Sequence, residues 1–378
     1  MKMRRFFTVI CAAAAILSSA ACSKFSEAEN VTQVSEGKLV PVTLSVELPS
    51  VSVETRTLTA YTEMEDYEKT INSVQYLVYD ANGDFLYYYK ATSSTDVPSF
   101  ICKSGGSYRF FAFVNYDQDL SSLTDINNIK TTTYEIKGTE KTTGFPMFAQ
   151  GVYTISDNPQ TITLTAKHQM VRVSVSYIKN NLPADLGELK VKALYLMNVP
   201  SMLETNGTSL TRIISGIKYY NAFGRNVTSD KMSKYDNSNE YYSHIIDGST
   251  YPALLPDLTY YALGATLKNG ETANLVPAHF YTNSSVASGA LYEDYTCNAL
   301  VVIAEIRGET QYYAVAVGST TIGGKDKNTA YQGGECVTYG ITINGFGATE
   351  PWKSPVSTLS ASPAISVASW TGGVRECQ

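Results

Sequence analysis

Between residues 40 and 48 apolar and polar side chains alternate without a break: Val40, Val42, Leu44, Val46 and Leu48 are separated by Pro41, Thr43, Ser45 and Glu47. Successive side chains of an extended chain point to opposite faces, so this stretch predicts a β-strand with one buried and one wet face. Proline has no N–H for a ladder, which predicts an edge position for the start of the strand at Pro41. No segment carries the 3.6-residue apolar period over the length of an ordinary helix. Leu182 to Glu188 and Leu120 to Lys130 have room for a turn or two.

The same strand signal returns along the chain. INSVQYLVYD (71–80) and FLYYYK (85–90) flank Ala81-Asn82-Gly83-Asp84, and Asn-Gly between apolar runs predicts a hairpin with a type I′ turn. A Gly105-Gly106 turn precedes a strand from Ser107 to Asn115. Further strands are predicted at 145–155, 160–165, 170–177 and 189–197, then at 259–266, 276–281, 299–306, 311–317 and 337–343. Short strands with frequent turns, and no helices alternating with them, exclude a doubly wound nucleotide-binding sheet and point to β-sandwiches. The expected division is a leader at 1–21, a tether and first strand at 22–56, one sandwich at 57–200, a second at 201–350, and a tail at 351–378. The polar stretch 224–249 reads as an exposed insertion. Tyrosine is abundant, 28 residues with many in pairs, which suits half-buried strands whose outer ends stay wet.

The N-terminus directs export. Lys2, Arg4 and Arg5 precede an apolar run from Phe6 to Leu17 and a small-residue stretch from Ser18 to Ala21 that ends at Cys22. That run is too short to span a hydrocarbon core of roughly 30 Å, so it reads as a signal peptide. Cys22 resembles a lipobox cysteine, which implies cleavage before it and lipidation of its thiol, although Ser19 stands where an aliphatic residue is usual; ordinary signal cleavage with Cys22 as an incidental thiol is the alternative. Residues 23–38 are polar and small and read as a tether. The net charge of −6, with no basic run, excludes a nucleic-acid partner.

Cys102, Cys297, Cys336 and Cys377 have no CxxC spacing, and His168, His244 and His279 lie far apart, so no metal site or cofactor is expected. The four thiols could pair in an oxidising envelope. Cys297 and Cys336 each open a predicted strand and are the first pairing to test; free buried thiols are the alternative. No GxSxG stands at a strand-to-helix elbow. The carboxylates Glu63, Glu65, Asp66, Glu293 and Asp294 fall in polar loops, and Gly323-Gly324-Lys325 lacks the spacing of a phosphate loop. An enzyme is not expected.

The order of these features resembles the fimbrillins of Bacteroidales, the lipoprotein precursors of type V pili. The stretches that carry the resemblance are Cys22, VPVTLSVEL with Glu54-Thr55-Arg56-Thr57 after it, INSVQYLVYDANG, YRFFAFVN, HQMVRVSVSYI with LKVKALYLMNVP, YGITINGFGATEP and SVASW. The resemblance implies two transthyretin-like Greek-key β-sandwiches in tandem, in an outer-membrane lipoprotein precursor that ends in a surface fimbrium. It also implies an arginine-specific protease that cuts between Arg56 and Thr57, discarding the strand with Val40, Val42, Leu44, Val46 and Leu48. The vacated groove would take a strand from a neighbouring subunit's tail, here the segment with Ile365, Val367 and Trp370. The partners implied are other fimbrial subunits, the membrane before processing, the protease, and a host or bacterial surface receptor. A tip adhesin or an anchor of the same pilus, and a surface glycan-binding lipoprotein, are the alternatives.

Overall fold

The alternating stretch forms strand β1 (Leu39–Glu47), with Val40, Val42 and Leu44 buried and Leu39, Pro41 and Glu47 exposed. The computed structural model describes residues 37–49, 64–197, 199–200, 202–204, 219–220, 256–282, 299–317, 319–322, 325–328, 333–349, 359–360, 367–369 and 374–375. Residues 38–378 make one compact unit. The fold is all-β. Helical structure among the described residues is confined to short pieces at Asp66–Lys69, Ile126–Thr131, Glu140–Thr143, Ala184–Leu186 and Pro256–Thr259.

Two sheets enclose the first part of the core. β1 lies in the middle of a three-stranded sheet, between β4 (Ser99–Lys103) and β8 (Gln160–Thr165). Facing it is a five-stranded sheet in the order β3 (Phe85–Ala91), β2 (Val74–Asp80), β5 (Ser107–Val114), β7 (Met147–Thr154) and β9 (Lys167–His168). Val40, Val42 and Leu44 pack there with Tyr76, Val78, Phe110, Ala112, Met147, Ile162 and Leu164.

A second pair of sheets follows. β10 (Val171–Asn180) sits between β16 (Thr272–Thr282) and β21 (Glu335–Ile343), and β23 (Val367–Ser369) and β24 (Val374–Arg375) continue beyond β21, which also pairs with β22 (Leu359–Ser360). Its companion runs β15 (Tyr260–Leu267), β11 (Leu189–Met197), β17 (Ala299–Ile306) and β18 (Glu309–Ala316). Three ribbons complete the pairing: β6 (Thr133–Glu135) with β13 (Met202–Glu204), β12 (Val199–Pro200) with β14 (Tyr219–Tyr220), and β19 (Ser319–Ile322) with β20 (Lys325–Asn328). The reverse face of the first five-stranded sheet, through Leu77, Phe111, Phe113 and Phe148, joins the same apolar cluster as Val173, Leu194 and Val302, so the core runs on from one pair to the next.

Three expectations change. Residues 170–177 and 189–197 were expected in a sandwich ending at residue 200, but β10 and β11 pair only with strands beyond residue 256 among those described, and the change of sheets falls after β9. Partners this far along the chain, with Tyr195↔Tyr260 and Lys179↔Thr272 among the nearer pairs, leave no mark in local alternation. Pro41 does not mark a sheet edge, because β1 has a neighbour on each side. The Leu44 N–H donates toward the β4 side, to the Pro98 carbonyl at 3.0 Å, so by alternation the absent donor of Pro41 faces the β8 side, where pairing starts only at Val42↔Gln160. The hairpin after β2 is present, but its turn is not type I′, which needs positive φ at two residues. Only Gly83 has it, at 93°; the Gly83 N–H bonds the Asp80 carbonyl, and the Asp80 carboxylate accepts from Asn82 N–H and Asp84 N–H. That is a type I turn followed by a left-handed glycine. The turn with two positive φ values is Arg307-Gly308, at 51° and 83°, between β17 and β18.

Candidate functional site

β1 occupies a seat built from both neighbours. It runs antiparallel to β4, with Leu39↔Lys103 through Thr43↔Ser99, and parallel to β8, with Val42↔Gln160 through Glu47↔Thr165. β4 and β8 pair with no other strand among those described, so β1 alone joins them into a sheet. Its inward row is graded: Val40, Val42 and Leu44 are at most 1% exposed, while Val46 and Leu48 are half-buried. The outward row is polar, with Ser45 Oγ 2.9 Å from Thr163 Oγ1 and Glu47 Oε1 accepting from Thr165 Oγ1 at 3.4 Å. The seat is therefore selective for apolar side chains at alternate positions. Burying Val40, Val42 and Leu44 contributes about 1.5–3 kcal/mol for each side chain.

A buried polar cluster lies where the first described turn after β1 meets the second pair of sheets. Arg172 of β10 and Glu68 are both fully buried, and Arg172 Nη1 lies 2.8 Å from Glu68 Oε2. Glu68 accepts two more hydrogen bonds, from Tyr281 Oη at 2.6 Å and from the Glu65 N–H at 2.7 Å, and Tyr281 Oη is 2.9 Å from Tyr67 Oη. Burial raises the Glu68 carboxyl, with the Arg172 guanidinium and the Tyr281 hydroxyl opposing it. Burial, then the charges of Arg172 and Lys141, lower His279 to about 3. The imidazole is thus neutral near pH 7, and its Nε2 donates to Glu65 Oε1 at 3.3 Å while Nδ1 accepts from Ser174 Oγ at 2.7 Å. In the sheet register Tyr281, Arg172, Cys336 and Ala368 stand in one row across β16, β10, β21 and β23. The sequence reading placed Arg172 in a strand but found no partner for it; a lone arginine within MVRVSVSY was the available signal.

The remaining expected sites are reached unevenly. Cys22, Arg56, Thr57, Ile365 and Trp370 lie outside the described residues. Val367 is in β23, which pairs with β21 of its own chain through Glu335↔Ser369 and Cys336↔Ala368. Cys102 and Cys336 are free, buried thiols, so Cys336 does not form the bridge considered with Cys297, itself outside the described residues. Burial pushes the Cys102 thiol up to about 11 and raises that of Cys336 as well. Among the described residues no three His, Cys, Asp or Glu side chains gather as metal ligands, and no helix is long and apolar enough to cross a membrane.

Residues 42–187 match the family model of the major fimbrial subunit protein FimA. No curated protein matches the sequence. Solved structures share the fold at low identity. A fimbrilin from Porphyromonas gingivalis matches at 13% identity and a TM-score of 0.58, covering 85% of this chain and 95% of that one. A proposed cell adhesion protein from Bacteroides eggerthii matches at 14% identity and a TM-score of 0.56, covering 91% and 98%. One from Parabacteroides distasonis matches at 11% identity and a TM-score of 0.57, covering 90% and 99%. The family match begins inside β1 and ends just past β10, and the fold shared with the solved structures spans most of the chain.

Proposed function

We propose that this chain is a structural subunit of a surface fimbrium, exported as a lipoprotein through Cys22 and activated by cleavage between Arg56 and Thr57. Cleavage frees β1 with its row of Val40, Val42, Leu44, Val46 and Leu48, and the seat is filled by a strand from a neighbouring subunit's tail, the segment around Ile365, Val367 and Trp370. The observation that carries this reading is that, among the described residues, β1 alone joins β4 and β8 into a sheet. Losing β1 exposes apolar side chains and leaves backbone donors and acceptors unpaired on two strands at once. A replacement strand with the same alternation restores both.

The tail fits a donor that is easily released. Among the described residues β23 is joined to β21 by two register pairs, against the long ladders on both sides of β1. Two pairs of sheets that divide after β9 support a subunit with a receiving half and a half that bears the tail.

N-terminal sequencing of the mature surface form tests the processing step. A chain that starts at Thr57 supports a stalk or tip subunit. An intact first strand in assembled fimbriae refutes activation by cleavage and assigns the chain to an anchor. Deletion of residues 363–378 should abolish polymers while leaving the monomer folded; filaments from that truncated chain would refute the donor role.

A further inference from the structure

The geometry of β4 points to two tyrosines as positioning residues for strand uptake, an inference that rests on the reading of β1 as a removable strand. Among the described residues β4 has one strand neighbour, β1. Because the Pro98 carbonyl accepts from Leu44 N–H, alternation directs residues 100 and 102 toward β1 and residues 101 and 103 toward the outer edge of β4. On that outer edge the Lys103 carbonyl accepts from the Gly106 N–H of the following turn at 3.2 Å, and two further polar groups are bonded by tyrosines of the facing sheet. Tyr87 Oη, from β3, donates to the Ile101 carbonyl at 2.9 Å, and the Lys103 N–H donates to Tyr108 Oη, from β5, at 2.7 Å.

These bonds are braced. The Tyr87 ring lies 5.2 Å from the Phe100 ring, and a Cβ on Gly106 would come within 2.9 Å of the Tyr108 ring, so Gly106 is what lets that ring fold back over the turn. Asp96, in the loop entering β4, accepts from Tyr89 Oη at 2.7 Å and from the Thr92 N–H at 3.2 Å. At the far end the turn after β4 is tied to the segment entering β8 by a reciprocal pair, Gly105 N–H to the Ile155 carbonyl at 2.8 Å and Ile155 N–H to the Gly106 carbonyl at 3.0 Å. None of these bonds uses a residue of β1.

Two consequences follow for an incoming strand. β4 keeps its place when its only ladder is withdrawn, so the seat between β4 and β8 stays open and ordered, which lowers the entropic cost of filling it. The outer edge of β4 is occupied by side-chain hydroxyls, so a new strand is directed to the inner side that β1 vacates. Tyr87 and Tyr108 thus position the acceptor.

The test uses the full chain with a specific protease site inserted within residues 50–63, cut after folding, and a fluorescent peptide of residues 38–49 that exchanges for the cleaved first strand. Wild type should take up the peptide. Tyr87→Phe and Tyr108→Phe should each weaken uptake about fivefold, the factor for one net hydrogen bond, and the double variant by about 25-fold. In the uncut chain, hydrogen exchange at the Lys103 amide should rise in Tyr108→Phe while the β1 ladder stays protected and the melting temperature changes little, which a general loss of packing would not produce. If cut wild type takes up no peptide, the removable-strand reading fails and this inference falls with it. If wild type takes up peptide and both variants match it, the clamp is overturned and the removable strand stands.

Discussion

Arg172→Met removes the cationic half of the buried pair and leaves Glu68, fully buried, with only the Tyr281 hydroxyl and the Glu65 N–H as neighbours of its carboxylate. Breaking such a pair by deleting one partner costs about 3–5 kcal/mol, far above the ~1 kcal/mol of an exposed ion pair. The cost should depend on pH, and its sign can be worked out. Burial already raises the Glu68 carboxyl, and without Arg172 the folded value rises further, so between the unfolded carboxylate value and the new folded one the native state binds the extra proton. Stability of the variant relative to wild type is therefore better preserved at pH 5 than at pH 8, with a slope of at most about 1.4 kcal/mol per pH unit. Adding Glu68→Gln, which keeps an acceptor for Tyr281 but no charge, should recover most of the loss. Urea denaturation of wild type and the two variants at both pH values reads each quantity. A loss below about 1 kcal/mol for Arg172→Met at pH 8, or one identical at pH 5, would refute the account of a desolvated charge held by a single counterion.

Leu44→Ala empties a fully buried position of the β1 seat and should cost about 2–5 kcal/mol in the uncleaved chain, measured by the same denaturation. Thr43→Pro should be more damaging than Pro41 is in the native chain, by on the order of 1 kcal/mol or more, because residue 43 directs its donor toward β8 after that strand has begun; equal stability would contradict the assigned ladder. His279, lowered to about 3 by burial, binds a proton in the unfolded chain but not in the folded one between pH 6.5 and 3, so its contribution to stability is present above pH 6.5 and lost as pH falls toward 3; His279→Gln should flatten that part of the profile. Mass-mapped thiol labelling of the native chain at pH 8 should spare Cys102 and Cys336 until denaturant is added, and rapid native labelling of either would refute their burial.

Where a strand carries one strongly apolar face or run, its limits were readable from the chain. The alternation at residues 40–48 gave β1, and the predicted 160–165, 189–197 and 299–306 coincide with β8, β11 and β17. β4 was missed because SFICK has only Phe100 and Cys102 inward, too short a pattern to stand out from a loop. The seat itself needed information that local periodicity does not hold: which strands flank β1, and that the tyrosines at 87 and 108 turn their hydroxyls onto β4. The Arg172–Glu68 pair spans 104 residues, and nothing near either residue announces the other.

The parallel ladder between β1 and β8 also sets the order in which the chain can be completed. Ser45 and Thr163, neighbours across that ladder, are 118 positions apart. Closing so long a loop is entropically slow, and it gains nothing until β8 exists. The strands of the facing sheet, by contrast, meet through nearby turns such as 81–84. During vectorial synthesis the first described strand to emerge is therefore expected to be among the last to dock, onto a sheet already formed. Contacts made that late govern the rate of unfolding more than the rate of folding. Changes within β1 should thus alter how quickly the strand departs while leaving the rest of the molecule to fold at its own pace.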